Sequence, residues 1–414
     1  MAQLEKVVLA YSGGLDTSVS VRWIQEKYGL EVVTLTIDLG QERELDGVRE
    51  RALKSGAIEA RLIDAKATFV EHFIWPGLQA GAVYEDSYYL ATALGRPLIA
   101  WLLVDTAHEV GATAVAHGST GKGNDQVRFD VSVATLDPDL RVIAPVREWR
   151  MTRDAELEYA AKHGIEVPVT KESPYSVDEN LWGRSIEAGP LEDPWQEPAR
   201  DVFEWTVDSS EAPDDPAYVE IEFESGIPVA LDDEKLDGVE LIQRLHRLGG
   251  SHGVGRTDHI ENRLVGIKSR EVYEAPAAEI LHSAHRELEK LTLSKDQKRF
   301  KHHVSNAYAD MVYNGQWFSA LHRELAAYLK VNQEHVTGKV RVKLHKGSCT
   351  VVGRESPKSL YQMHLATYGQ EDAYDHDAAI GFIKIHGLSQ QTQARIQLGS
   401  PGQTPILQTP ADDE

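Results

Sequence analysis

A short loop near the N-terminus carries residues well suited to binding chemistry. It reads Ser12-Gly13-Gly14-Leu15-Asp16-Thr17-Ser18 and lies between an apolar run and an amphipathic stretch. The glycines let backbone N–H groups converge, a following helix N-terminus adds positive potential, and the three hydroxyls can donate to phosphate oxygens. The pattern favours an anion cradle over a tight turn capped by Asp16 or Thr17, because two glycines and three hydroxyls exceed what a cap needs.

The anion is not bound by one of the common nucleotide motifs. A Walker A loop needs a lysine, which this loop lacks, and Gly121-Lys122 lacks both the first glycine and the following hydroxyl residue. The pairs Gly121-x-Gly123 and Gly253-x-Gly255 lack the third glycine of a dinucleotide fingerprint. Classical kinase, GTPase and dehydrogenase functions therefore lose their main support.

Five short β-rich runs alternate with helical stretches over the first 150 residues. The runs are mostly continuous and apolar, as is typical of parallel strands covered on both faces. Their order predicts a parallel α/β sheet with right-handed crossovers. The predicted strands are Lys6–Ala10, Glu31–Ile37, Glu59–Ile63, Ala112–Ala116 and Arg141–Ile143, and the predicted helices are Thr17–Tyr28, Glu44–Ser55, Leu98–Val110 and Arg153–His163.

The chain changes character after Gly164. Prolines between Pro190 and Pro216 exclude a regular helix or an inner strand in an acidic stretch. Hairpins and long helices follow, which predicts an α+β second domain. We predict domains at 1–170 and 171–387 and a tail at 388–414, helical over Ser389–Leu398 and then disordered. The predicted hairpins are Val219–Phe223 with Val229–Leu231 and Val340–His345 with Cys349–Gly353, and the predicted helices are Ala277–Leu291, Lys295–Tyr313 and Ser319–Leu329.

Composition excludes several classes of protein. Hydrophobic residues make up 42% and charged residues 26%, as in globular proteins, and no apolar run is long enough to span a membrane. The formal charge of −22 disfavours a nucleic-acid partner, although a local pocket could still be basic enough for an anionic substrate. The N-terminus does not resemble a signal peptide, and the single cysteine, Cys349, cannot form an internal disulfide, so we expect a cytoplasmic protein.

The segment SGGLDTS after an N-terminal strand resembles the pyrophosphate-binding loop of the ATP pyrophosphatase superfamily. The resemblance implies that ATP is split into AMP and pyrophosphate, and the missing lysine fits a loop that holds the leaving pyrophosphate. Sulfur-transferring relatives need catalytic cysteines, for which Cys349 alone is a poor candidate, and glutamine-dependent relatives need an amidotransferase cysteine. We therefore expect the amine to come from a small-molecule substrate.

Six longer segments, in order from about Val7 to Gly387, resemble the argininosuccinate synthases. The resemblance implies that citrulline, aspartate and ATP give argininosuccinate, AMP and pyrophosphate through a citrullyl-adenylate, in arginine biosynthesis. It also implies a Rossmann-like ATP pyrophosphatase domain, a synthetase and multimerisation domain, a homotetramer and Mg²⁺ bound with the nucleotide. The segments are Ala10–Ser18, Tyr84–Ala100, His117–Phe129, Ser173–Ser185, His252–Pro276 and Gly353–Tyr361.

The resemblance assigns residues to each substrate. It assigns no residue to a separate metal site, since Mg²⁺ binds with the nucleotide. For aspartate it implies Thr120, Asn124 and Asp125. For ATP it implies Ala10, Tyr11, Ser12, Gly13, Gly14, Leu15, Asp16, Thr17, Ser18, Ile37 and Gly118. For citrulline it implies Tyr88, Thr92, Asn124, Arg128, Ser176, Ser185, Glu261 and Tyr273.

Three residues are candidates for the chemistry itself. Asp16 could hold Mg²⁺ or cap a helix, Arg96 could stabilise phosphate charge or form a structural ion pair, and Asp125 is a candidate acceptor for the proton of the aspartate amine. Single residues of the citrulline set also have ordinary explanations.

Arg128 could pair with Asp130, Tyr273 could belong to the core, and Glu261 could be a surface carboxylate. The sequence departs from many relatives at Ala93, where a hydroxyl residue is usual, and at the C-terminal tail. Two other functions stay open: AMP-forming chemistry on another amide-like substrate, and nucleotide sensing without turnover.

Overall fold

A computed structural model describes residues 5–41, 45–149, 151–166 and 174–397. The chain forms two compact units, Met1–Leu360 and Tyr361–Glu414. The predicted domain boundary at 170/171 and the predicted disordered end after Leu398 lie outside the described residues, so both stay predictions. In the described part of the chain, no helix has the length and apolar character needed to cross a bilayer.

The first part of unit one is a parallel five-stranded sheet with helices between its strands, ordered β3-β2-β1-β4-β5. All five predicted strands are confirmed, with small shifts at their ends. A π-helical turn, Val70–Ile74, joins α3 to α4. In chain order the elements are β1 (Lys6–Ala10), α1 (Leu15–Tyr28), β2 (Glu31–Asp38), α2 (Leu45–Lys54), β3 (Glu59–Asp64), α3 (Lys66–Phe69), α4 (Trp75–Ala80), α5 (Ala91–Val110), β4 (Ala114–Ala116), α6 (Asp125–Leu136), β5 (Arg141–Ile143), α7 (Pro145–Trp149) and α8 (Arg153–His163).

The strand order places a topological switch point between β1 and β4. The chain builds the sheet outward from β1 through β2 to β3, and then returns to the other side of β1 with β4. In open α/β sheets, ligands bind outside the carboxyl ends of the strands at such a point. The loop at Ser12–Gly14 follows β1, and the loop that begins at His117 follows β4, so both lie at this edge.

Helix α5 begins earlier than its sequence indicates. We predicted Leu98–Val110, whereas the helix spans Ala91–Val110 and contains Pro97 in its interior. A proline normally interrupts a helix because it lacks an N–H group and crowds the preceding turn. The Tyr88 hydroxyl accepts from the backbone N–H groups of Thr92 (2.9 Å) and Ala93 (3.3 Å), which satisfies two donors of the first turn.

The second part of unit one combines two antiparallel sheets with long helices, and the predicted fold class is confirmed. One sheet has the order β10-β9-β8-β13-β14 and the other β11-β12-β7-β6. Both predicted hairpins and all three predicted helices are present, whereas the second sheet was not predicted. The elements are β6 (Ser176–Asn180), β7 (Gly183–Glu187), β8 (Ala217–Glu224), β9 (Ile227–Leu231), β10 (Glu234–Lys235), α9 (Gly238–Ser251), β11 (Arg256–Asn262), β12 (Lys268–Glu274), α10 (Pro276–Thr292), α11 (Lys295–Tyr313), α12 (Ala320–Asn332), β13 (Gly338–His345) and β14 (Ser348–Glu355).

The proline-rich stretch between β7 and β8 contains only short 3₁₀ turns, Gly189–Glu192 and Arg200–Val202, as its prolines predict. Its apolar side chains Leu191 and Val202 pack against Ile186 and Val272 of the β11-β12-β7-β6 sheet. The stretch therefore covers one face of that sheet and leaves the other face for polar residues.

The second unit, described to Gln397, contains three helices: α13 (Met363–Ala366), α14 (His376–His386) and α15 (Leu388–Gln397). The predicted helix near Ser389 is confirmed as α15. Large apolar side chains of this unit are exposed, among them Phe382 (66%), Ile385 (76%) and Ile396 (76%).

Candidate active site

The loop after β1 forms an open cradle at the N-terminus of α1. Gly13 has a left-handed backbone (φ +78°), and Gly14 is the N-cap of a helix that no side chain caps. The alternative prediction of a cap by Asp16 or Thr17 is therefore wrong. Apart from its chain neighbours, a Cβ on Gly14 would meet only Ser12 Oγ within 4 Å among the described residues, at 3.5 Å. The first turn of α1 thus presents its N–H groups to open space.

The three hydroxyl residues of the loop have different environments. Ser12 is exposed, and its Oγ lies 3.2 Å from Oγ1 of the buried Thr17. Ser18 is buried and its Oγ pairs with the Tyr11 hydroxyl at 2.8 Å. Burial raises the pKa of Tyr11, so this pair stays neutral. Tyr11 and Ser18 therefore support the loop through their side chains, whereas Ser12 is open to a ligand.

The remaining predicted nucleotide residues gather at the same sheet edge. Ala10 ends β1, Ile37 lies at the end of the adjacent β2, and Gly118 follows β4. A Cβ on Gly118 would lie 3.0 Å from Cγ2 of Thr17, so the loop after β4 contacts the first turn of α1. Leu15 begins α1 and packs in a small cluster with helix α8. The two loops at the switch point are thus in direct contact.

Asp16 faces a second carboxyl group. Glu156 of α8 is 5% exposed, and burial, then the hydrogen bond and charge of Asp16, raise the pKa of Glu156 to about 8. The raised pKa favours the protonated form of Glu156, which hydrogen-bonds to Asp16. The described residues contain no cluster of three or more histidine, cysteine, aspartate or glutamate side chains that could hold a metal ion.

A cleft of about 530 Å³, including its open mouth, lies beside α5 and α6. All eight residues predicted to bind citrulline line it: Tyr88, Thr92, Asn124, Arg128, Ser176, Ser185, Glu261 and Tyr273. Asp125 lines it as well. Thr120, predicted for aspartate, is exposed on the loop before α6 and is not among the lining residues.

One face of the β11-β12-β7-β6 sheet supplies much of the cleft wall. Ser176 and Asp178 of β6, Ser185 and Glu187 of β7, and Glu271 and Tyr273 of β12 are pairs two residues apart. Residues two apart in a strand point to the same side. Tyr273 lies opposite Ser185, which lies opposite Asp178, so the pairs form one continuous polar surface.

Two arginines hold Asp125 in its ionised form. Arg96 Nε donates to Asp125 Oδ2 at 2.9 Å and its guanidinium also pairs with Asp178, while Arg128 donates to Asp125 Oδ1 at 2.9 Å. Burial alone would raise the pKa of Asp125, but the two cations outweigh it and hold the pKa below its usual value. A carboxylate in this environment is a weak base, and its negative charge can bind a cationic group.

Arg128 lines the cleft with a side chain that is not fully hydrogen-bonded. The residue is 3% exposed, its Nε donates to the Tyr313 carbonyl at 2.9 Å, and the other terminal nitrogen, NH2, is buried without a hydrogen-bond partner in the described structure. The predicted alternative pairing with Asp130 is wrong, because Asp130 bonds to His117 and Arg147. An orphaned buried guanidinium nitrogen indicates a missing acceptor such as a carboxylate.

Glu261 is the buried anion of the cleft and not a surface carboxylate. It is 2% exposed and accepts from the Tyr273 hydroxyl at Oε2 and from the Tyr313 hydroxyl at Oε1, both at 2.5 Å. Burial raises the pKa of Glu261 above its usual value, although both hydrogen bonds act in the opposite direction. Tyr273 stacks on Tyr88 with ring centroids 4.4 Å apart, so it belongs to the core and to the cleft at once.

Sequence reasoning missed several cleft residues. Asp178, Glu187, Arg263 and Glu271 line the cleft, and Arg263 pairs with both Glu187 and Glu271. Each lies two residues from a predicted citrulline residue, so strand alternation was the available signal. Tyr313 gave no such signal, because it lies at the end of a helix far along the chain.

The fold and the site define a class of protein. A parallel sheet with a lysine-free loop at its switch point, next to a polar cleft that carries a buried arginine and a buried glutamate, is suited to an enzyme that uses a nucleotide and a second, charged substrate.

Comparison with known proteins identifies the family. Residues 6–166 match the family model described as the arginosuccinate synthase N-terminal HUP domain, and residues 175–393 match the arginosuccinate synthase C-terminal domain. The argininosuccinate synthase of Dehalococcoides mccartyi is 57% identical over 95% of this chain and 97% of its own length. Those of Symbiobacterium thermophilum and Rubrobacter xylanophilus are each 58% identical, over 95% and 97% of this chain and 98% of their own lengths. The chain belongs to the argininosuccinate synthase family.

Proposed function

We propose that this protein joins citrulline to aspartate at the expense of ATP, giving argininosuccinate, AMP and pyrophosphate in arginine biosynthesis. The observation that carries the proposal is that Arg128 and Glu261, both buried, line the same cleft, and that one terminal nitrogen of Arg128 has no hydrogen-bond partner in the described structure. Citrulline is a zwitterion, so its carboxylate needs a cation and its ammonium needs an anion. The cleft offers both, each in a site from which water is largely excluded.

The nucleotide binds at the edge where the loops after β1 and β4 meet. The cradle at Gly13 and Gly14 holds the β- and γ-phosphates through backbone N–H groups and the exposed Ser12 hydroxyl. Because the loop has no lysine to follow a transferred γ-phosphoryl group, it suits a pyrophosphate that leaves as one unit. Ala10, Ile37 and Gly118 line the adenosine side.

Mg²⁺ accompanies the nucleotide. The carboxylate of Asp16, beside the cradle, would hold the ion together with the phosphates, because Mg²⁺ bound with a nucleotide needs only one or two protein carboxylates. When bound, the ion neutralises phosphate charge.

The reaction proceeds in two displacements. The ureido oxygen of citrulline attacks the α-phosphorus, the bond to the β-phosphate oxygen breaks, and pyrophosphate leaves. The aspartate ammonium first loses one proton to a base, and its amine then attacks the ureido carbon. The carbon–oxygen bond to AMP breaks, and the same nitrogen loses a second proton as the guanidinium of the product forms. Positioning supplies most of the rate enhancement, because one segment contacts the cradle at Gly118 and lines the citrulline cleft at Asn124 and Asp125.

Aspartate binds on the loop that leads into α6, through Thr120, Asn124 and Asp125. The ionised Asp125 attracts the aspartate ammonium, and Arg96 keeps that carboxylate in place. Asp125 is therefore better suited to orienting the amine than to accepting its proton, and Arg96 acts as its positioning partner.

We also propose a cytoplasmic homotetramer. The exposed apolar side chains of α14 and α15, such as Phe382 and Ile396, are more than a monomer in water normally leaves uncovered. Light scattering should give four times the monomer mass, and a monomeric mass in neutral buffer would contradict this assembly.

A product assay that omits one component at a time tests the reaction. The complete mixture of ATP, citrulline, aspartate and Mg²⁺ should give AMP and pyrophosphate in equal amounts, and omission of any one should stop turnover. ADP as the product, or turnover without citrulline, would refute the proposal. ATP binding with no pyrophosphate release under any mixture would indicate a nucleotide sensor instead.

A further inference from the structure

Tyr313, the last residue of α11, contacts three of the residues that we propose for citrulline. Its hydroxyl donates to Glu261 Oε1 at 2.5 Å and accepts from Asn124 Nδ2 at 2.8 Å. Its carbonyl accepts from Arg128 Nε at 2.9 Å. The residue is 1% exposed, so these bonds form away from water. A tyrosine that only filled the core would need one hydrogen-bond partner for its hydroxyl. The Tyr313 hydroxyl has two, and it connects the Glu261 carboxylate to the Asn124 amide.

The surroundings of Tyr313 fix its ring as well. Tyr84 stacks on it with ring centroids 3.6 Å apart and planes 7° from parallel, and the guanidinium of Arg128 lies 4.8 Å from the ring centroid. Just beyond the helix, Gly315 (φ +72°) approaches so closely that a Cβ would lie 2.7 Å from Cα of Arg128. The C-terminal end of α11 is therefore packed directly against α6 and cannot shift without moving Arg128.

We propose that Tyr313 is a positioning residue of the citrulline cleft, which ties the Glu261 carboxylate to the Asn124 amide so that both face the substrate in one fixed geometry. This inference rests on the proposed function, since Glu261 and Asn124 are its substrate contacts. Tyr313 need not contact the substrate, because its hydroxyl already donates to Glu261 and accepts from Asn124.

The contact has a consequence for the acid–base behaviour of Glu261. Its hydrogen bond from Tyr313 lowers the pKa of Glu261, against the effect of burial, so removal of the hydroxyl raises that pKa further. A protonated Glu261 cannot attract an ammonium group. The groups that face Glu261 are Tyr273 and Glu271 of β12, Arg128 of α6, Asn124 before it, Tyr313 of α11, and Tyr84 and Tyr88 before α5.

Tyr313→Phe isolates the hydroxyl, because the ring stack and the bond from Arg128 to the carbonyl do not depend on it. We expect kcat/KM for citrulline to fall about 10-fold, through KM, since a hydrogen bond to a charged group is lost. The KM for ATP should stay within about twofold, whereas the KM for aspartate, which Asn124 also binds, should rise less than the KM for citrulline. The acidic limb of the kcat/KM profile for citrulline should move to higher pH. In the Glu261→Gln variant, the added change Tyr313→Phe should lower kcat/KM for citrulline only slightly further.

Tyr308→Phe is the matched control. Tyr308 lies on the same helix, is fully buried, and bonds through its hydroxyl to His322 at 3.0 Å, outside the cleft. This variant loses a comparable buried bond, so its melting temperature should fall. Its citrulline KM and its acidic limb should match the wild type.

The outcomes separate the two proposals. A wild-type protein that forms no AMP and pyrophosphate refutes the proposed function. An active wild type whose Tyr313→Phe variant keeps the citrulline KM and the acidic limb refutes the positioning role, as does an equal rise in all three KM values. Should Tyr313→Phe fail to fold, Tyr84→Ala removes the ring that stacks on Tyr313, and an unchanged citrulline KM in that variant would also refute the role.

Discussion

Replacing Gly14 by valine tests the phosphate cradle with little effect on the fold. Gly14 has φ −77° and ψ 178°, an extended backbone that any residue adopts, and a Cβ there would meet only Ser12 Oγ at 3.5 Å within the described surroundings. Loss of glycine at an N-cap costs up to about 1 kcal/mol of folding free energy. The valine methyl groups, however, project over the first turn of α1, where the phosphates must approach.

The expected effect on ATP is much larger than the effect on folding. Two charge-assisted hydrogen bonds from backbone N–H groups, at about 1.5 kcal/mol or more each, amount to about 3 kcal/mol, or a rise of about 100-fold in the KM for ATP. Gly14→Ala should give a smaller rise. Steady-state kinetics with ATP varied, together with thermal unfolding, measure both quantities. An unchanged KM for ATP in a folded Gly14→Val protein would refute the cradle.

Three further predictions follow from the contacts of the cleft and core. Asp125→Asn should raise the KM for aspartate at least about 10-fold, because the anion between Arg96 and Arg128 is lost, and should leave ATP binding nearly unchanged. Equal losses for aspartate and ATP in steady-state kinetics would indicate a folding role instead. Arg128→Met should raise the citrulline KM by about 100-fold or more, and isothermal titration showing normal citrulline binding would contradict a carboxylate contact. His246 is half-buried, and desolvation within the fold lowers its pKa to about 4. The unfolded chain therefore takes up a proton between about pH 6.5 and 4 that the folded chain does not, and stability falls as the pH drops through that range. His246→Gln should flatten this fall, and chemical denaturation at pH 7 and pH 5 measures it.

The parallel sheet could be predicted from the sequence because its strands are almost entirely apolar. Val7, Val8 and Leu9 are fully buried, and a continuous buried run is what a strand covered on both faces requires. Helix α8 was predicted to the residue, since Thr152 caps its start and Gly164 (φ +65°) ends it. Local signals of this kind fix an element without knowledge of its neighbours.

The second sheet could not be predicted so easily. Strands β11 and β12 are rich in charged residues, because one of their faces lines a polar cleft and their apolar positions, such as Val272, are few. The start of α5 differs from the predicted Leu98, because the helix contains Pro97 and its first turn donates to the Tyr88 hydroxyl, a contact that local sequence signals do not show. The eight citrulline residues came from resemblance, and their convergence in one cleft needed the fold.

The polar surface of β6, β7 and β12 limits which insertions and deletions this protein can accept. Removing a single residue within β12 would turn Glu271 and Tyr273 toward the apolar packing of Leu191 and bring Val272 to the substrate side. In contrast, several residues added to the proline-rich stretch between β7 and β8 would not change which side chains of the strands face the cleft. Natural length variation in relatives with the same specificity should therefore fall between β7 and β8 and be absent inside the three strands. Of these segments, only the one that covers the apolar face of the sheet can change in length.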